Sequence, residues 1–454
     1  MSNSWEFIID FTWLSLFIAV AAVLKARIPA LQRFIIPTSM IAGFMGLIVG
    51  PEVIGWISFD LDRLGDLVYH LMAIGFIALS LKERNVEKKP GMLNAGMFIV
   101  STYLVQGVLG FGILLILMMT IYPDIFPGVG LLLPLGFGQG PGQAYSIGTQ
   151  WEQLGLTGGG NLGLTIAGIG FIWATVIGII LMNILTKNKR YTSNSTSNAA
   201  HHDKVIEELE PDEIPLSDAM DKLSFQMALI GVIYLVTYLT IVGLGNVLTP
   251  LGTYGETFSQ LLMGFHFIIG SLYAILFRWI LNRLRDKGVH LEHKPNNYLL
   301  QRISGFSFDY MIAASISAIS IYALREYAFV VLLLTTVGGA ATIFFTVWLC
   351  PRLFPQDKIP NVLGFYGMLT GTISTGMALV KAVDPKFKSN ATENMVMGSA
   401  TAIMFGIPLL LILNIPIVGY VEQKPILYVY TFFALVAYLF MLMTIMHFRV
   451  KKQK

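Results

Sequence analysis

Two stretches decide the fold: VGLLLPLGFGQGPGQAYSIGTQWE, from Val129 to Glu152, and NVLGFYGMLTGTISTGMALVKAVDP, from Asn361 to Pro385. Each is apolar, yet neither reads as a single helix crossing a bilayer. A short apolar arm of about nine residues runs into a tip rich in Gly, Thr, Ser or Gln, and at a rise of about 1.5 Å per residue it reaches only ~13 Å. The hydrocarbon core of a bilayer is about 30 Å thick. Irregular backbone sits at membrane depth only where protein or a water-filled cavity satisfies its polar groups. Both stretches therefore read as re-entrant hairpins.

The chain around them has the composition of a membrane protein. Of 454 residues, 55% are hydrophobic and 13% charged, and a soluble domain carries about twice that charged share. The mean hydropathy of +0.68 agrees. A disordered protein and a soluble enzyme of ordinary composition are excluded. Thirty Lys and Arg against 27 Asp and Glu leave +3, too near neutral for a nucleic-acid partner. Cys350 is the single cysteine, so no intramolecular disulfide forms. Met1 to Asp10 contains Glu6 and Asp10 but no Lys or Arg, unlike the basic start of a cleaved signal peptide. The first apolar stretch is expected to stay in the mature protein.

Apolar runs near the ~20 residues of a spanning helix lie at about 7–24, 34–50, 67–81, 93–121 and 161–186, then at 223–245, 257–283, 303–324, 328–349, 393–417 and 424–448. They are continuous rather than alternating, which argues for helices and against a barrel. The polar linker 187–222 separates an N-terminal repeat over 1–186 from a C-terminal repeat over 223–417, and 418–454 adds a further helix and a basic tail. His201 and His202 in the linker have no third ligand nearby in sequence and read as solvated loop.

Charge placement tests the hairpins. With an outside N-terminus and each hairpin returning to its own side, the basic loops and the C-terminus face the cytoplasm. Only Arg63, Arg325 and Lys424 then remain outside. Were the hairpins to cross, Lys187, Lys189, Arg190, Arg283, Arg285, Lys287, Arg302, Arg352 and Lys358 would all move outside, against the positive-inside rule. The expected fold is an all-α polytopic membrane protein of about 11 spans. It comprises two inverted repeats of five transmembrane helices plus one re-entrant hairpin each, with one extra C-terminal helix. Gly136 and Gly140 match Gly367 and Gly371 in spacing, and Asn161 and Asn394 open the helix after each hairpin. Inverted repeats with broken helices are a recurring plan of secondary transporters.

The tips carry the chemistry. Half-helix N-termini present partial positive charge to an anion, and freed carbonyls and hydroxyls replace water around Na⁺. In the first tip Gly138, Gly140 and Gly142 permit close approach to the backbone, and Gln139 and Gln143 add amides. In the second, Thr370, Thr372, Ser374 and Thr375 flank Gly371 with hydroxyls, a hard-oxygen set for a small cation or for substrate. The competing reading, close helix packing through small residues, is preferred for Gly168 and Gly170 in their span.

The chain resembles the bacterial sodium/glutamate symporter family through RFIIPTSMIAGFMGLIVG (33–50), MAIGFIALSLKE (72–83), GFGQGPGQA (136–144) and LGFYGMLTGTISTGMA (363–378). The resemblance implies a Na⁺-coupled symporter of glutamate or a related amino-acid or carboxylate anion in the bacterial inner membrane, working as a homodimer among lipids. It implies an elevator-type movement of a hairpin-bearing domain against a scaffold. Substrate and Na⁺ would lie near Gly138, Gln139, Gly140, Thr370, Gly371 and Thr372. Na⁺ is the coupling ion and no cofactor is expected. Pro141, the long linker and the added C-terminal helix depart from the family's pattern.

Charged residues within spans are weighed singly, because burying one is costly. Asp309, read as about six residues and ~9 Å inside its helix, has three competing roles: a Na⁺ ligand beside Thr372 and Ser374, a partner of Lys381 on the second hairpin, or a partner of Arg302. Asp10 and Arg278 lie near helix ends and are expected to snorkel, and His266 reads as packing rather than as a proton relay. H⁺-coupled transport or export of another small organic anion, and an ion channel, stay open at this point. No HExxH, GxSxG or Walker motif supports an enzyme.

Overall fold

A computed structural model of the chain describes residues 3–28, 36–82, 90–187, 216–252, 255, 259, 262–287, 294–385 and 388–453. Most of the linker, with His201 and His202, lies outside them. The described residues form helices and no strand. Nine of their helices are long and apolar enough to cross a membrane. The protein is an integral, multi-pass membrane protein.

In chain order the helices are α1 (Asn3–Arg27), α2 (Thr38–Val49), α3 (Leu61–Leu81), α4 (Pro90–Thr120) and α5 (Pro141–Glu152). Then come α6 (Gly159–Lys187), α7 (Leu216–Leu248), α8 (His266–Asp286), α9 (Asn297–Ser317) and α10 (Ile321–Leu353). The last four are α11 (Lys358–Thr370), α12 (Ile373–Val383), α13 (Ala391–Val421) and α14 (Ile426–Gln453).

Two apolar runs fold differently from simple spans. The run at 34–50 is helical over only the 12 residues of α2, about 18 Å at the helical rise. Pro37 and Pro51 set its limits, since a residue before proline is steered out of helical backbone. The run at 303–324 divides where α9 ends at Ser317 and α10 begins at Ile321. That break places Ser317 Oγ 3.2 Å from the Gly43 carbonyl of α2.

The described chain forms two compact units. The first comprises Met1–Gly65, Lys88–Ser197 and Ala313–Lys454, and therefore contains both hairpins. Its centre is α4, against which α10, α13 and α14 pack. Small residues bring these helices close: Gly96 of α4 faces Thr401, and Gly398 faces Ala95. Thr401 Oγ1 also donates to the Met92 carbonyl at 3.0 Å, and Arg449 Nε reaches Asn94 Oδ1 at 3.0 Å. Near the chain start, Arg63 pairs with the buried Asp10 at 2.8 Å and with Glu6 at 2.9 Å, so Asp10 is held by a cation instead of reaching out to water.

The second unit comprises Asp66–Glu87 and Asn198–Ile312. Its core joins Ile77, Ala78 and Leu81 of α3 to Leu229, Ile230 and Ile233 of α7, with Ala274, Leu300 and Ile303. His266 is buried and stacks on Tyr69 with ring centroids 3.7 Å apart. Arg278 donates to the Leu81 carbonyl.

Candidate functional site

Each hairpin is a helix broken at a glycine. In the first, a tight turn over Pro127–Leu131 leads to a wide π-helical turn over Pro134–Gln139. Gly140 follows with φ +101° and ψ 175°. Both angles have a local cause. A side chain is disfavoured at that φ, and the extended ψ is what Pro141 demands of its predecessor. Pro141 then starts α5, where its missing N–H is no loss.

In the second hairpin α11 ends at Thr370, Gly371 turns the chain, and Thr372 is extended before α12 begins. Thr375 holds this break together. Its Oγ1 accepts the Thr372 N–H at 2.9 Å and donates to the Gly367 carbonyl at 2.7 Å.

The two breaks meet. A Cβ placed on Gly140 would lie 3.9 Å from the Gly371 carbonyl oxygen and 4.0 Å from Gln143 Oε1. α5 and α12 both start at this point, so their first-turn N–H groups and the positive ends of their dipoles converge on it. Anions bind to such ends.

α6 closes in from beside the second tip. A Cβ on Gly170 would come within 2.4 Å of the Thr370 carbonyl, so only glycine admits this approach. A second π-helical turn follows at Trp173–Ile177. Such turns free backbone groups and gather at functional sites. Here the Trp173 carbonyl accepts from Tyr366 Oη at 3.0 Å.

Gln106 of α4 reaches the same place. Its Nε2 donates to Thr342 Oγ1 of α10 and to the Leu369 carbonyl of α11, at 2.9 Å each. A Cβ on Gly138 would stand 2.3 Å from the Tyr103 ring and 2.7 Å from Gln106 Oε1.

A family model described as sodium/glutamate symporter matches residues 7–389. The chain belongs to the sodium/glutamate symporter family. It is thus a transporter and not an enzyme. No curated protein and no solved structure matched the chain. The matched part of the symporter contains both hairpins and stops before α13 and α14.

In the symporter, ten of the residues singled out from the sequence lie in or beside the two breaks. Gly138, Gly140, Gly142 and Gln143 are buried and Gln139 is half-buried. Thr370, Gly371 and Thr375 are buried, with Thr372 and Ser374 half-buried. The hydroxyls divide by partner. Thr370 donates back to the Tyr366 carbonyl at 2.8 Å and Thr375 fastens the break, while Thr372, the N-cap of α12, turns its hydroxyl to the Thr375 backbone N–H in a capping box. Lys381 is exposed, nine residues beyond Thr372 and about 13 Å along α12. Asp309 belongs to the second unit and is exposed, while Arg302 lies over the Tyr298 ring at 5.0 Å. Gln106, Thr342 and the π-helical turns escape the sequence reading. A lone amide in the middle of an apolar helix is the signal for Gln106.

Proposed function

We propose that this symporter carries a glutamate-type amino-acid anion together with Na⁺, both bound where the two hairpin tips meet. The observation that carries the reading is the approach of Gly140 to Gly371, which sets the N-termini of α5 and α12 around one point. A substrate carboxylate takes the first-turn N–H groups there, with Gly142 and Gln143 on one side and Ser374 on the other. Thr372 Oγ1, Ser374 Oγ and tip carbonyls supply oxygens for Na⁺. The glycines at the tips allow the ligand to lie against backbone.

The wider scheme is also ours. Two inverted repeats, an outside N-terminus and a cytoplasmic C-terminus are supported by the distribution of Lys and Arg. Elevator-type movement of the hairpin-bearing part, and a homodimer to brace it, extend the family's function to this chain. Lipid contact is supported by exposed apolar side chains such as Val232, Leu235 and Leu239 on α7 and Leu272, Ile275 and Trp279 on α8.

The test is uptake of labelled L-glutamate by proteoliposomes with and without an inward Na⁺ gradient, joined to labelling of single cysteines at Gln139 and Thr372 in a Cys350→Ser background. Gradient-driven uptake, labelling from opposite faces, and protection of both cysteines by glutamate with Na⁺ are expected. Uptake that ignores Na⁺, or cysteines that glutamate never protects, would remove the reading.

A further inference from the structure

Gln106 is fully buried on α4, 16 residues after Pro90 and 14 before Thr120, so its amide stands near the middle of a helix about 45 Å long. Its orientation is fixed by its neighbours. The Leu369 carbonyl can only accept a hydrogen bond. Thr342 Oγ1 gives its own hydrogen to the Gly338 carbonyl at 2.7 Å, so towards Gln106 it must accept as well. Both facts turn the amide nitrogen to α10 and α11 and leave the oxygen facing the first tip. There Oε1 lies against Gly138 without a hydrogen-bond partner among the described residues. A buried amide oxygen left without a donor is costly, and Gly138 offers no side chain to relieve it.

The chemistry of that oxygen selects what meets it. It accepts from a donor and repels a carboxylate, so it complements the helix N-termini of α5 and α12, which attract one. A single directed acceptor matches the N–H of an ammonium group better than the shell of oxygens around a metal cation. We infer that Gln106 is a specificity-determining residue. Its Oε1 accepts from the substrate's ammonium group while the substrate carboxylate lies at the helix N-termini, and this selects an amino acid over the corresponding dicarboxylate without the amine. The inference rests on the placement of substrate at the tips proposed above.

The experiment is displacement of labelled L-glutamate from the reconstituted full-length protein by L-glutamate and by glutarate, the same dicarboxylate lacking the amine. In Gln106→Leu the half-displacing concentration of L-glutamate should rise about ten- to hundredfold, the worth of a charge-assisted hydrogen bond, while that of glutarate stays within about twofold. A parallel rise for both ligands overturns the inference and leaves Gln106 as a positioning residue for the second hairpin. Where Gln106→Leu does not fold, Gln106→Glu keeps the size and the acceptor. It should prefer L-glutamate over glutarate at least as strongly as the native protein does, and loss of that preference overturns the inference. Cysteine protection at Gln139 and Thr372 tells the two failures apart: with protection intact only the role of Gln106 falls, and without it the placement at the tips falls first.

Discussion

Thr375 ties down the residue that follows the second break: its Oγ1 accepts the Thr372 N–H at 2.9 Å while donating to the Gly367 carbonyl at 2.7 Å. One hydroxyl thus links the last turn of α11 to Thr372, two residues beyond its end. Thr375→Val keeps the shape and leaves a buried carbonyl and amide short of a partner, at about 1–3 kcal/mol each. The detergent-solubilised variant should melt at a lower temperature and transport slowly, and Thr375→Ser should recover most of both. A valine variant as stable as the native protein would take this role away.

Thr372 separates stability from binding. Its side chain forms the other half of the capping box with Thr375, so Thr372→Val should lower stability by about 0.5–2 kcal/mol, the worth of a helix cap. If the hydroxyl meets Na⁺ or substrate, apparent affinity should fall five- to hundredfold, about 1–3 kcal/mol. Na⁺ and glutamate titrations of initial uptake check this. Unchanged titrations would assign Thr372 to capping alone.

Two glycines offer a paired measurement. The Cβ of Gly170→Ala would press to 2.4 Å from the Thr370 carbonyl, and such overpacking costs about 1–3 kcal/mol while pushing the second tip aside. Gly231 on α7 has nothing within 4 Å of its added Cβ, so Gly231→Ala should be neutral or gain up to about 1 kcal/mol of helix propensity. Thermal melts and uptake of the two variants side by side decide it. Equal behaviour would mean that α6 yields freely beside Thr370.

Asp309 is exposed and 12 residues from the start of α9. As a Na⁺ ligand it predicts that Asp309→Asn folds normally yet loses the response of glutamate flux to a Na⁺ gradient. As half of an ion pair it predicts a lower melting temperature, partly restored by neutralising Arg302 or Lys381. Normal stability together with normal Na⁺-driven flux would leave Asp309 with neither role.

The breaks were legible in the sequence because Gly and Pro announce them. Gly140 before Pro141, and Gly371 among hydroxyls, stop the helix for local reasons that need no partner. The short α2 was not legible: the run 34–50 reads as a span, whereas the helix covers only 12 residues between Pro37 and Pro51. What else stayed hidden depends on distant neighbours. The difference between Thr375, which reaches back to Gly367 of α11, and Thr372, which caps α12 locally, lies in side-chain direction and not in residue type. Gln106 makes its bonds 236 and 263 residues away in sequence, and no periodicity reports such contacts. Asp309 stands 12 residues into α9 and not about six, because the helix begins at Asn297, before the apolar run.

Gln106, Thr342 and Leu369 also set a tempo. Their two hydrogen bonds are buried midway along α4. In an apolar medium an amide hydrogen bond is worth about 4–6 kcal/mol, against about 1 kcal/mol net when water competes. A movement of the whole hairpin-bearing unit leaves these bonds intact, since α4 belongs to that unit. Only an opening of the second hairpin against α4 would break them, and if turnover needs that opening, cooling should slow turnover more steeply than it changes binding.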